Sequence, residues 1–200
     1  MSYVCFNRIA VTGPRPNVLG FRDDARRRLR HRLRETIGRP SIAFSLEGLF
    51  RKNHLPAPSK DGIPCDVWHY FSSAGRVAEW NGYARVVYGL EIKNYEVYEL
   101  LAPLSGIYSD LCFVDSQICL DSGEIMAAFV ARGRCSKSLL PEARCNAHWE
   151  RVANEHSVAR LEDAYEDDDV RHDAEEGMLA EAMAYWDKRV LSTFRKWSSS

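Results

Sequence analysis

Apolar and polar positions alternate along YVCFNRIAVTG (3–13), with Val4, Phe6, Arg8 and Ala10 on one face and Cys5, Asn7, Ile9 and Val11 on the other. Apolar residues on both faces, ended by Thr12-Gly13-Pro14, predict a strand buried on at least one side. The pattern then changes period. Phe21, Ala25, Leu29, Leu33 and Ile37 recur every fourth residue, with Asp23 and Asp24 at the start and Gly38-Arg39-Pro40 at the stop. This spacing predicts an amphipathic helix over 21–37. In SIAFSLEGLF (41–50), Ile42, Phe44 and Leu46 alternate with smaller or polar neighbours and predict a second strand.

Three prolines and a glycine make 51–65 a loop, and the aromatic-rich stretch 66–82 reads as a short helix followed by a turn at Asn81-Gly82. YARVVYGLEIK (83–93) is a strand by its Val, Tyr and Ile content. Val97, Leu100, Leu101, Leu104 and Tyr108 lie at helical spacing, with Pro103 placed to kink or split the helix. CFVDSQICL and EIMAAFVARGRC flank Asp121-Ser122-Gly123 and predict a hairpin. From Pro141 onward Ala, Glu, Arg and Leu dominate. Two long helices are expected over 141–166 and 173–197, with a break in the acidic run between them. Met178, Ala182, Tyr185, Trp186, Leu191 and Trp197 give the last helix an apolar side with which to dock.

The order β-α-β, loop, β-α-β-β predicts an α+β domain: a ferredoxin-like antiparallel sheet covered by helices over 1–140, with a helical C-terminal extension over 141–200. The opening Cys5-x-Asn7-Arg8-Ile9-x-Val11-x-Gly13-Pro14, followed by a helix, resembles the start of the YubB-type ferredoxin-like proteins of plasmids, phages and other mobile elements. The resemblance spans about residues 3–134. Where that family tends to carry a Trp-Gly-Thr-Lys-Trp block and a Trp-x-Pro-Pro entry to its second helix, this chain has Glu79-Trp80-Asn81-Gly82 and Ile92-Lys93-Asn94-Tyr95. The resemblance implies a mobile-element setting, in which small interaction proteins and inhibitors of host systems are common. It supplies no functional residue.

Charge divides the chain sharply beneath a net of −1. Residues 1–60 hold 13 basic and four acidic residues, a net of +9; residues 61–160 carry −4, and residues 161–200, with five basic and 11 acidic, carry −6. Such a division fits a basic face for nucleic acid, an acidic face for a basic partner, or mutual neutralisation on folding. Six cysteines at irregular spacing read as reduced, mostly buried thiols. With no run near the ~20 apolar residues of a membrane span and no leader pattern, a cytoplasmic location without membrane contact is the expectation.

Two surfaces carry candidate chemistry. On a helix with Phe21, Leu29 and Leu33 inward, Arg26, Arg27, Arg30 and Arg34 would face solvent and could neutralise phosphates of DNA or RNA. Trp68, Tyr70, Phe71, Trp80 and Tyr83 are aromatic groups that could stack bases or serve as core. At the other end, Glu162, Asp163, Glu166, Asp167, Asp168, Asp169, Asp173, Glu175 and Glu176 could imitate a phosphate backbone and bind a basic groove on a protein partner, or form a solvated run at a helix break.

Catalytic and metal patterns are weak. Cys135, Cys145, His148 and His156 miss the spacing of structural zinc sites, and Cys65 with His69, or His54 and His69 with Asp61 and Asp66, are pairings that no spacing compels. No phosphate loop, dinucleotide fingerprint or calcium loop is present, so no metal and no cofactor is expected. The first expectation is therefore a non-catalytic interaction protein of a mobile genetic element, binding and inhibiting a host nucleic-acid-processing or defence complex. The second is a nucleic-acid-binding protein using the arginine-rich helix. An enzyme is the least supported class, and the C-terminal helices could equally form a homodimer seam.

Overall fold

In a computed structural model, residues 4–28, 41–57, 59–60, 63–64, 69–93, 96–119, 123–158 and 161–198 are described. Along the chain come β1 (Val4–Pro14), α1 (Arg15–Ala25), β2 (Arg27–Arg28), β3 (Ser41–Ile42), α2 (Leu46–Lys52), β4 (Ser59–Lys60), β5 (Ile63–Pro64), β6 (His69–Ala74), β7 (Ala78–Trp80) and β8 (Tyr83–Lys93). Then follow α3 (Val97–Ile107), β9 (Cys112–Cys119), β10 (Ile125–Ala131), β11 (Arg134–Leu139), α4 (Glu142–Glu155), α5 (Leu161–Glu166) and α6 (Asp168–Ser198). The main sheet has the order β11-β10-β9-β1-β8-β6, with β7 also paired to β8. All of its pairings are antiparallel. Within it, β9-β1-β8-β6 is the strand order of a ferredoxin-like sheet, extended beyond β9 by the β10–β11 hairpin.

Strand β1 sits in the middle because both of its faces are apolar. Ile9 and Val11 pack into a core with α1, α2 and α3, while Phe6 and Ala10 point into a second core on the opposite face. Close approach fixes its end: a Cβ on Gly13 would lie 2.7 Å from the Asp110 carbonyl oxygen, so only glycine lets the two backbones meet there. On the first face Phe21, Phe44, Tyr88, Tyr108 and Phe113 form a continuous set of edge-on and tilted rings.

The C-terminal helices cover the second face instead of projecting from the domain. Val170, Ala174, Met178, Ala182, Trp186, Val190 and Phe194 of α6 recur every fourth residue, and all are buried against β1, β9 and β10. Helix α4 closes over α6, and Gly177 makes this possible, since a Cβ there would stand 2.8 Å from His148 Nδ1. The sheet is thus covered by helices on both faces.

Several predicted elements differ. Helix α1 begins six residues earlier than 21–37, after Pro14, and its observed course ends at Ala25, where Arg26 is already extended. The Ala25 carbonyl accepts from the Ser45 amide, and Arg27 pairs with Glu47, so long-range partners replace the next helical turn. Residues 29–37 of the expected helix lie outside the described residues. The predicted strand at 41–50 pairs only at Ser41–Ile42, and Ser45, whose hydroxyl accepts from the Gly48 amide, then caps α2. The helix expected within 66–82 is overturned: 69–74 and 78–80 are strands bonded to β8, although the turn at Asn81-Gly82 stands, with φ of 47° and 81°. Helix α3 runs unbroken through Pro103. Strand β11 was not foreseen. The C-terminal helices break at Asp167, inside the acidic run as expected, and also after Glu155, so three helices stand where two are predicted.

Tyr88 is fully buried and its hydroxyl has no hydrogen-bond partner among the described residues. Tyr88→Phe, which keeps the ring and removes the unpaired group, should raise unfolding free energy by about 1 kcal/mol in urea denaturation.

Candidate functional site

Helix α6 crosses the sheet so that β1, β9 and β10 are covered while part of β8 and β6 is not. A groove of about 650 Å³ remains, walled by Asp168, Arg171, His172, Glu175, Glu176 and Leu179 and floored by Phe6, Arg8, Val87, Gly89 and Glu91. The floor follows from register: Phe6 lies opposite Glu91 and Arg8 opposite Gly89, and Ser73 of β6 lies opposite Gly89 on its other side. Alternation then puts Phe6, Arg8, Val87, Gly89 and Glu91 on the same sheet face as α6. A glycine at 89 leaves space where another residue would place a side chain.

The wall follows from helical geometry. At ~100° per residue, the stripe that begins Val170, Ala174, Met178 faces the sheet core, so Arg171 and Glu175 fall on one flank and Asp173 on the other. The nine predicted acids therefore do not form one row. Asp168, Glu175 and Glu176 line the groove. Asp173 instead bonds His156, the residue that caps α4, at 2.9 Å, and the Asp167 carboxylate accepts from the amides of Asp169 and Val170 at the start of α6. Asp163, Glu166 and Asp169 are exposed away from the groove, and the side chain of Glu162 lies outside the described residues.

Within the groove, four carboxylates (Glu91, Asp168, Glu175, Glu176) meet two guanidiniums (Arg8, Arg171) and His172. Arg8 bridges to Glu176 at 2.9 Å, and Arg171 reaches Asp168 at 3.0 Å and Glu175 at 4.0 Å. Glu175 is 15% exposed, and burial pushes its pKa up against the opposing pull of Arg171 and His172. Carboxylates outnumber arginines, and the largely buried Glu175 has its cation at the limit of contact. The groove offers a ligand apolar surface beside unsatisfied negative charge.

The arginine candidates fare differently. Arg26 is exposed at the end of α1, whereas Arg27 is half-buried and paired with Glu47, so the two do not share one helical face. Arg30 and Arg34 lie outside the described residues, as do Cys65, Trp68, Asp61 and Asp66. His69 stands on β6 and not on a helix, so the four-residue spacing from Cys65 carries no meaning. Of the aromatic candidates, Trp80 is partly exposed in the β7–β8 hairpin and Tyr83 packs on Phe194. Cys135 lies on β11, while Cys145, His148 and His156 belong to α4 or its cap; His148 bonds Glu181 at 2.7 Å. Among the described residues no three His, Cys, Asp or Glu side chains converge as metal ligands, and no helix is long and apolar enough to cross a membrane.

A second constellation, missed in the sequence, lies under the first turn of α3. Asp115 of β9 is buried, and among the described residues neither of its oxygens, nor Asn7 Oδ1, nor Gln117 Oε1, has a hydrogen-bond partner. Asn7 lies directly opposite Gln117 in the β1–β9 register, and Asp115 follows two residues away on the same face. Burial raises the Asp115 pKa to about 8, and the Tyr98 amide, which pulls it down without completing a full hydrogen bond, does not offset that. A proton on Asp115 would supply a donor to a group of acceptors. Comparison with protein-family models, with curated proteins and with solved structures finds no match.

The Asp115 carboxyl holds its proton up to about pH 8 when folded and releases it near 3.8 when unfolded. Between these values the native state binds more protons than the unfolded one, so stability should fall as pH rises from about 4 to 8, by up to about 1.4 kcal/mol per unit, and flatten above. Asp115→Asn should remove that slope and raise Tm at pH 8, read by thermal unfolding across the range.

Proposed function

We propose that the protein is a non-catalytic interaction protein that holds a basic segment of a protein partner in the groove between α6 and the sheet. The observation that carries this reading is the surplus of carboxylates, Glu91, Asp168, Glu175 and Glu176, over arginines in a cleft with apolar lining. A lysine or arginine side chain entering there would lay its alkyl stem on Phe6, Val87 and Leu179 and bring its charge to Glu175. Desolvation in the cleft makes each such pairing stronger than on open surface, and a wrong-signed partner is repelled.

Proteins that handle nucleic acids present Lys- and Arg-rich surfaces, because phosphate contacts require them. The groove therefore suits a partner from a nucleic-acid-processing or defence complex. The likeness of residues 5–14 to proteins of mobile elements supports a setting in which the complex is the host's and binding inhibits it.

Fluorescence anisotropy with a labelled Arg/Lys-rich peptide, an acidic peptide of equal length, and single- and double-stranded DNA and RNA tests the reading. The basic peptide should bind, and affinity should fall about tenfold or more in a folded Glu91→Lys, Glu175→Lys variant and with added salt. Salt-sensitive nucleic-acid binding that survives this variant but is lost in Arg26→Glu would transfer the function to the basic end of the chain.

A further inference from the structure

Cys5 of β1 stands directly opposite Cys119 of β9 in the antiparallel register. The backbone of Cys119 shows which kind of opposition this is. Its amide donates to the Glu124 carbonyl at 3.1 Å and its carbonyl accepts from the Gly123 amide at 2.8 Å. In an antiparallel strand both polar groups of a residue point to the same neighbour, so Cys119 spends them toward the β10 side and faces β1 as a non-hydrogen-bonded pair. That is the closer of the two kinds, with Cα atoms ~4.5 Å apart, inside the ~4.4–6.8 Å range a disulfide spans. Both thiols are free; Cys5 is fully buried and Cys119 half-buried.

We propose that Cys5 and Cys119 form a dithiol site that is oxidised to an intramolecular disulfide by low-molecular-weight disulfides of the glutathione class. The thiolate of Cys119, the more accessible of the two, attacks one sulfur of the small disulfide, forming a mixed disulfide and expelling the first small thiolate. The Cys5 sulfur then attacks the Cys119 sulfur, the second small thiol leaves with the Cys5 proton, and the Cys5–Cys119 bond is made. The protein loses two electrons and two protons, and the small disulfide is reduced to two thiols. Burial and the Cys119 neighbour raise the Cys5 pKa to about 12, which assigns Cys5 the second step, where proximity replaces acidity. Among the described residues no comparable partner serves Cys112, which faces the opposite core. Oxidation ties together the two central strands of the sheet and closes a long loop, which constrains the unfolded chain. This inference is independent of the groove and its ligand.

The test incubates the folded full chain with oxidised glutathione, blocks remaining thiols with N-ethylmaleimide and maps peptides by mass spectrometry without reduction. Two of the six thiols should disappear into a peptide joining Cys5 to Cys119, with a higher Tm that dithiothreitol reverses. Cys112→Ser and Cys135→Ser should keep the bond, and Cys119→Ser, verified as folded by circular dichroism, should lose it. A stable glutathione adduct on Cys119 with Cys5 still reduced, a different pairing, or a Cys119-linked dimer as the main product would each overturn the proposal.

Discussion

Docking of α6 on the second face of the sheet is the constraint on which the rest of the molecule depends. Strand β1 is apolar on both sides, with Ile9 and Val11 turned one way and Phe6 and Ala10 the other, so a sheet covered on one face alone would leave Ala10, Val114 and Phe129 in water. Seven α6 residues at i, i+4 spacing from Val170 to Phe194 satisfy that face. The burial is hydrophobic and non-directional, so registration is set by finer contacts: the Trp186 indole donating to Ser138 Oγ at 3.1 Å, Arg85 bridging Asp187 at 2.9 Å, and Gly177 admitting the His148 ring.

The position of the stripe decides what the charges do. Once Val170, Ala174 and Met178 face the sheet, one flank of α6 must look toward the uncovered part of β8 and the other toward α4. Acids on the α4 flank, Asp173 and Glu181, are consumed by His156, Arg144 and His148. Those on the open flank enter the groove. Among the described residues, Arg8–Glu176 joins the basic segment 1–60 to the acidic segment 161–200, and a single pair with both side chains partly exposed is worth at most about 1 kcal/mol.

Much of the fold was legible because the signals were local. Alternation marked β1, β-branched and aromatic content marked β8, the Asp121-Ser122-Gly123 turn marked the β9–β10 hairpin, and helical spacing marked α3 and the docked last helix. The failures share a cause in partners distant along the chain. Leu29 and Leu33 lie outside the described residues, but before them Ser45 and Glu47 claim the backbone of Ala25 and the side chain of Arg27, and α1 ends at Ala25. Residues 69–74 form a strand because β8 offers an edge, which their own composition does not announce. In the site, the acidic run was visible, but its division between two flanks was not read. The every-fourth-residue stripe from Val170 was the signal that could have revealed it. Arg8 and Glu91 were out of reach, because only the β1–β8 register brings residues 83 positions apart to one floor.

The central claim, that the α6 stripe turns part of the acidic segment into a ligand-binding groove on the sheet, is tested most directly by a hydrogen-exchange footprint. Amide exchange would be followed by mass spectrometry in the free protein and with a saturating Arg/Lys-rich peptide. Slowed exchange confined to 87–91 of β8, 73–75 beside it and 168–179 of α6 is the predicted result. Protection centred instead on 22–28, or on the exposed acids of α5 with none on β8, would contradict it.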